Sequence, residues 1–253
     1  MWNVQQLQVE SMTQIPLLTV KAPAKPAGID LRCCSVDALL DDINENARLV
    51  FCDPPWSYKN NGDKTRSAAS HYPCLTMGEI IEHVRRSYDC AESNAYLILW
   101  ATFPLLSEWI SKATEDRIMW RYVTGGAWAK TGAPGSGYHW RGNAEPILIY
   151  RKGKPKPVNT KLLRSVHVTE QHRGRGNRSG EALSHSEKPI SYQQNMVEVW
   201  SNPGDLILDV YAGLCSVGRA VLRAGENRRY VGAEIDPDRY RQAVDRLALD
   251  RGV

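Results

Sequence analysis

No apolar run in this sequence approaches the roughly 18 residues needed to cross a membrane, so no membrane association is expected. The opening residues, "MWNVQQLQVESMTQ", lack the basic start and apolar core of a secretory signal, and a cytoplasmic protein is expected. The six cysteines (Cys33, Cys34, Cys52, Cys74, Cys90 and Cys215) show no C-x-x-C spacing. Zinc and a disulfide framework are both disfavoured, no metal is expected, and most of the thiols read as small core residues. There is no internal repeat. No G-x-G-x-x-G follows the first predicted strand, which removes the usual dinucleotide fingerprint. Nor does one sign of charge dominate: 32 Lys and Arg against 28 Asp and Glu leave +4. That total does not announce a nucleic-acid binder, but its distribution says more.

What is present is 253 residues of ordinary globular composition, 42% hydrophobic and 24% charged, enough for one large α/β domain. Residues 1–27, polar and then rich in Pro, Ala and Lys, read as a flexible N-terminal arm, and residues 28–253 as a single domain. "ARLVFC" and "AYLILW" have the continuous apolar character of strands buried on both faces. Between such runs lie helical patterns. "TMGEIIEHVRRSYDC" carries Thr76 as its N-cap, and "PLLSEWISKATE" has Pro104 near its first turn. Strands alternating with helices predict a mainly parallel sheet covered on both faces.

One strand ends abruptly in "LVFCDPPWSYKN", residues 50–61. Two successive prolines lack backbone N–H groups and cannot continue a sheet, so the strand stops at or just after Asp53. A carboxylate, two stiff carbonyls and an aromatic ring are thereby left at a strand's C-terminal edge, where open α/β sheets collect ligands. A second signal comes late in the chain. "LILDVYAGLCSVGRAV" reads as a strand with Asp209, a turn at Gly213 and a helix with Gly218 in its first turn. "RRYVGAEIDPDRY" then ends a strand on Glu234, 21 residues after Gly213, the spacing of a ribose-binding acid in doubly wound folds. A loop with one close-approach glycine suits a ligand without a pyrophosphate, and S-adenosyl-L-methionine is such a ligand. Taken alone, the same loop is also an ordinary strand-to-helix turn.

"DPPW", "HYPCLTMGEI", "LILWAT", "GGAWAKTGAPGSGYHWRGNAEPILIYRKGKP" and "HSEKP" occur in that order. Together they resemble the DPPW-type N6-adenine methyltransferases, relatives of the messenger-RNA adenine methyltransferase catalytic subunit, over about residues 30–240. The late glycine loop departs from the messenger-RNA branch. It is similar to the β-class bacterial DNA methyltransferases, which share this order of catalytic motif first and cofactor loop last. The resemblance implies a Rossmann-like S-adenosylmethionine-dependent methyltransferase fold with a mainly parallel seven-stranded sheet and helices on both faces. It implies a site-specific, adenine-specific DNA methyltransferase of a bacterial or phage-infected cell, in restriction–modification or phage DNA modification. DNA is the expected partner ahead of RNA, and a homodimer is left open.

By the same resemblance, Asp53, Pro54, Pro55 and Trp56 are catalytic. Adenine's amino nitrogen is a poor nucleophile because its lone pair is delocalised into the ring. Asp53 and the Pro54 carbonyl offer two acceptors for its N–H groups, Pro55 stiffens the turn, and Trp56 offers a face for stacking. The cofactor is expected at Ser35, Val36, Asp53, Lys188, Asp209, Tyr211, Gly213, Glu234 and Ile235, with Lys188 toward its carboxylate. Tyr72, Trp128, Asn143 and Glu145 match residues of the target-base pocket, although Trp128 and Trp100 lie in strand-like runs and read equally well as core.

Residues 151–178 hold nine basic side chains against one acid, Glu170. The stretch of about 151–184 is read as a basic target-recognition insert that orders on binding, with Lys154, Lys156, Arg173 and Arg175 on phosphates. Three rivals stand: the same scaffold acting on adenine N6 of RNA, on cytosine N4 of DNA, or as a catalytically silent nucleic-acid-binding subunit.

Overall fold

Asp53 follows a strand whose every residue is buried, β2 (Ala47–Cys52). The computed structural model describes residues 28–57, 74–131, 139–170 and 187–250. In it β2 lies between two parallel neighbours, β7 (Leu206–Asp209) and β3 (Ala91–Trp100). The sheet continues through β8 (Arg229–Glu234) to β1 (Ile29–Cys33) on one side. On the other it continues through β5 (Ala144–Lys152) and β4 (Arg121–Thr131) to β6 (Val166–Glu170). The order is thus β1-β8-β7-β2-β3-β5-β4-β6, and β5 alone runs against the rest.

The unbroken apolar runs have a direct cause in packing. Successive strand residues point to opposite faces, and here both faces are covered. Val50, Cys52, Leu97 and Leu99 join one core cluster with the buried faces of α1 (Val36–Asp42), α2 (Met77–Asp89) and α3 (Leu106–Glu115). Leu49, Phe51, Ile98 and Trp100 join a second, with α4 (Ile190–Trp200), α5 (Ser216–Ala224) and α6 (Pro237–Leu249).

Among the described residues the sheet has eight strands, where seven were expected. The extra one, β6, comes from the basic insert. It pairs in parallel with β4 along the sheet edge, beginning where the Ala127 N–H donates to the Ser165 carbonyl at 2.7 Å. The insert is therefore built into the sheet as far as residue 170, while its remainder, like residues 1–27, lies outside the described residues.

Parallel strands put their C-terminal ends on one edge. Cys33, Cys52, Trp100, Thr131, Asp209 and Glu234 all end strands there, and β5, running backwards, starts there. This edge is where the functional residues gather.

Thr76 starts α2 with a reciprocal cap: its hydroxyl accepts from the Glu79 N–H at 3.3 Å, and the Glu79 carboxylate accepts from the Thr76 N–H at 2.7 Å. Thr76→Ala is expected to lower unfolding free energy by about 1 kcal/mol in urea titrations, with the m-value unchanged.

Candidate active site

Beyond Cys52 the chain turns through Asp53-Pro54-Pro55, and the turn is braced on three sides. The Trp56 N–H donates to the Pro54 carbonyl at 2.9 Å, the Leu75 N–H to the Pro55 carbonyl at 3.0 Å, and the Trp56 indole N–H to the Trp100 carbonyl at 3.1 Å. Trp56 is only 5% exposed and meets Trp109 edge-on at 5.9 Å. It borders the cavity, but most of its ring serves to anchor the elbow.

Charged side chains from four segments meet behind Asp53. The Lys188 ammonium lies 2.5 Å from Asp53 Oδ2 and 3.4 Å from Glu145 Oε2, and Lys130 pairs with the other oxygen of Glu145. Lys188 is buried and also faces the Trp100 ring at 5.0 Å. Burial opposes its charge, but Asp53 and Glu145 outweigh that and hold its pKa above the ordinary lysine value. Burial raises the Asp53 pKa, and the Lys188 ammonium beside it works in the opposite direction. Glu145 is half-buried, which opposes its charge, yet Lys188 and Lys130 keep its pKa below the ordinary value. The result is an alternating series, Lys130–Glu145–Lys188–Asp53, with no charge uncompensated. Lys188 was expected on a cofactor carboxylate; in the structure it pairs with Asp53.

The other half of the site is built on β7 and β8. Asp209 is buried, and the Tyr230 hydroxyl donates to it at 3.1 Å. Burial pushes its pKa up to about 7, against that hydrogen bond and with the Asp53 charge adding to the rise. Gly213 takes φ +54° in the turn after β7. Gly218 has a packing role, since a Cβ there would lie 3.2 Å from the Tyr230 ring and 2.4 Å from Cys215 Sγ. Glu234 accepts from the Asp236 N–H at 2.8 Å, and burial raises its pKa. Ser35 caps α1 through the Ala38 N–H at 3.2 Å, and Tyr211 shares a 2.7 Å hydrogen bond with His83 Nδ1.

Both halves open on one cavity of about 1150 Å³. Asp53, Pro54, Pro55, Trp56, Glu145 and Lys188 border it from one side, and Ser35, Val36, Asp209, Tyr211, Gly213, Glu234 and Ile235 from the other. Two of the predicted pocket residues do not border it. Trp128 is buried against Trp100, edge-on at 6.2 Å, with its indole N–H donating to Thr169. Its strand position turns it into the core. Asn143 is exposed and accepts from the Lys130 N–H through its own carbonyl at 2.7 Å. Tyr72 lies outside the described residues.

Lys154 and Lys156 stand away from the cavity. They follow β5, and β5 runs away from the cavity. The Lys154 N–H donates to Asn94 near the start of β3, and the Lys156 carbonyl accepts from Arg48 near the start of β2. Both lysines therefore stand at the far edge of the sheet, roughly 20 Å from the Asp53 end at about 3.3 Å per residue. Arg173 and Arg175 lie outside the described residues.

Lys130 was given no role from sequence. Only the β4–β5 register, which brings it beside Glu145, reveals it. Trp100 Nε1, Thr102 Oγ1 and Gln193 Oε1 are also buried without a hydrogen-bond partner, in residues bordering the cavity.

Residues 47–245 match the family model described as DNA methylase. The chain belongs to that family. The methylase is 24% identical over 229 residues to the DNA adenine methyltransferase YhdJ of Escherichia coli K12, covering 80% of this chain and 76% of that protein. It is 26% identical over 195 residues to the type II methyltransferase M.HhaII of Haemophilus parahaemolyticus, covering 74% and 82% respectively. Among solved structures, the M1.HpyAVI–SAM complex aligns with TM-score 0.65 at 18% identity, over 87% of this chain and 98% of that one. The cytosine-N4-specific PvuII DNA methyltransferase aligns with TM-score 0.67 at 15% identity, over 90% of each chain. At such identities these two structures speak for the fold alone.

Asp209 makes the methylase's stability depend on pH. The folded protein holds this proton to about pH 7, whereas an unfolded chain releases it near 4. Stability from this group is therefore highest below about pH 4, falls as pH rises toward 7, and is flat above. Asp209→Asn should remove that part of the loss, so urea midpoints between pH 5 and 8 should fall less in the variant than in the wild type.

Proposed function

We propose that the methylase transfers a methyl group from S-adenosyl-L-methionine to the N6 amino group of adenine in DNA. The observation that carries this is the single cavity shared by the Asp53 elbow and the Asp209–Gly213–Glu234 half. The name of the YhdJ relative, a DNA adenine methyltransferase, supports adenine as the base.

The residues present fit such a cofactor. Asp209 and Glu234 are two buried acids on neighbouring strands, the first for an ammonium or sulfonium, the second for ribose hydroxyls. The buried Gln193 oxygen still lacks a donor. Gly213, Ser35, Val36, Tyr211 and Ile235 would complete the walls. Bound there, S-adenosylmethionine supplies a methyl already activated by a positive sulfur.

The protein's own task is then alignment and electrostatics. Lys188 occupies Asp53 Oδ2, which leaves Oδ1 for one N–H of the amino group. The Pro54 carbonyl already accepts from Trp56, which leaves its second lone pair for the other N–H. Acceptors that draw the two hydrogens out of the ring plane let the nitrogen rehybridise and free its lone pair for attack. The excess proton on the alkylated nitrogen leaves through the same acceptors. Lys188 favours the ionised form of Asp53, the form that accepts.

Labelled cofactor with matched DNA and RNA pools, followed by nucleoside mass spectrometry, tests the reading. N6-methyladenine in DNA is the expected product; N4-methylcytosine, or label confined to RNA, overturns it. Asp53→Ala should lower methyl transfer by roughly 100- to 1,000-fold, while calorimetric cofactor affinity changes little. Full activity in that variant would remove Asp53 from the mechanism.

Arg173 and Arg175, rather than the lysines at the far edge, contact the DNA phosphates. Neutralising both arginines should flatten the plot of log affinity against log salt by about 2. Neutralising Lys154 and Lys156 should leave that slope as it is.

A further inference from the structure

Trp140 is 86% exposed, the most exposed large apolar side chain among the described residues. It belongs to the segment between β4 and β5, and it borders the cavity. Phe103, 57% exposed, borders the same cavity from the turn after β3. The antiparallel register that pairs Trp100 with Ile147, continued by the Ala101 N–H on the Pro146 carbonyl at 2.9 Å, brings these two segments to one edge. Two large rings left in water at the rim of a ligand cavity have no folding rationale, since burying them would stabilise the fold.

Their position within the sheet separates the base from the cofactor. The acids Asp209 and Glu234 lie on β7 and β8, to one side of Asp53. Trp140 and Phe103 lie on the β3–β5 side, beyond Asp53. A base delivered to Asp53 from that side leaves the rest of its strand at the mouth, with unstacked neighbouring bases. Resting on the DNA reading above, we propose that Trp140, with Phe103 beside it, forms a stacking platform for a base adjacent to the one delivered to Asp53. Tryptophan suits this: it offers a broad rigid face with little rotamer freedom to lose, and stacking on it tolerates any base. Arg141, next along the chain and also exposed, supplies a positive charge for the neighbouring phosphate.

The test compares wild type, Trp140→Ala and Trp140→Phe for binding a labelled mixed-sequence single strand and an abasic strand of the same length. Trp140→Ala should weaken binding of the base-containing strand roughly 5- to 150-fold. It should hardly affect the abasic strand or the salt slope, and Trp140→Phe should keep most of the affinity. Calorimetric titration with S-adenosylmethionine should be the same in all three. Unchanged affinity in Trp140→Ala, or equal losses on both strands, overturns the platform. If the wild type methylates DNA while Trp140→Ala binds normally, the platform alone falls. If the wild type methylates no DNA, the underlying reading falls first, and the platform with it.

Discussion

A lysine ammonium with almost no access to water holds this site in place. An unpaired charge in such a position is costly by several kcal/mol, so Lys188 requires its two carboxylates. Asp53, just past β2, and Glu145 on β5 meet that requirement, and Lys130 balances Glu145 from β4. Each member sits on a different segment, which ties the approach to α4 onto the sheet at the place where β2 turns. Removing one member strands the charge of its neighbour. The arrangement therefore constrains geometry more than it adds stability, and its chief product is a fixed, ionisable Asp53 beside a stiff pair of prolines.

Much of the fold was readable along the chain because its signals are local. A continuous apolar run is what a strand covered on both faces shows, and "AYLILW" and "ARLVFC" became such strands. Thr76, three residues before Glu79, became a cap because both partners lie within one turn. The Asp53 elbow was legible because proline chemistry alone ends the strand. What was not legible depends on pairing between distant segments. Lys130 and Glu145 face each other only through the β4–β5 register. Trp128 and Trp100 look alike in sequence, and only the packing shows that Trp100 borders the cavity while Trp128 stands behind it. β6 escaped notice because its five residues, "VHVTE", are flanked by charge, and an edge strand needs little apolar content to pair.

The basic insert shows how strand direction overrides composition. Nine positive charges between residues 151 and 178 read as one patch when counted along the chain. β5 carries Lys154 and Lys156 away from the cavity, and β6, parallel to β4, brings the chain back toward it. A charge count cannot distinguish the two ends of a strand, yet they stand a full strand length apart.

The reversed strand also explains why the site has two sides. Were β5 parallel to β3, its first residues would lie at the far edge. Glu145 could not then reach Lys188, nor could Trp140 stand at the mouth. A wholly parallel sheet would keep the glycine loop and the two acids on β7 and β8, and would still offer a place for a nucleoside. It would lack the wall beyond Asp53. One antiparallel strand thus turns a single-ligand crevice into a cavity open to a second ligand, with the Asp53 elbow between the two. Transfer chemistry needs that geometry, because donor and acceptor must approach the same point from opposite sides.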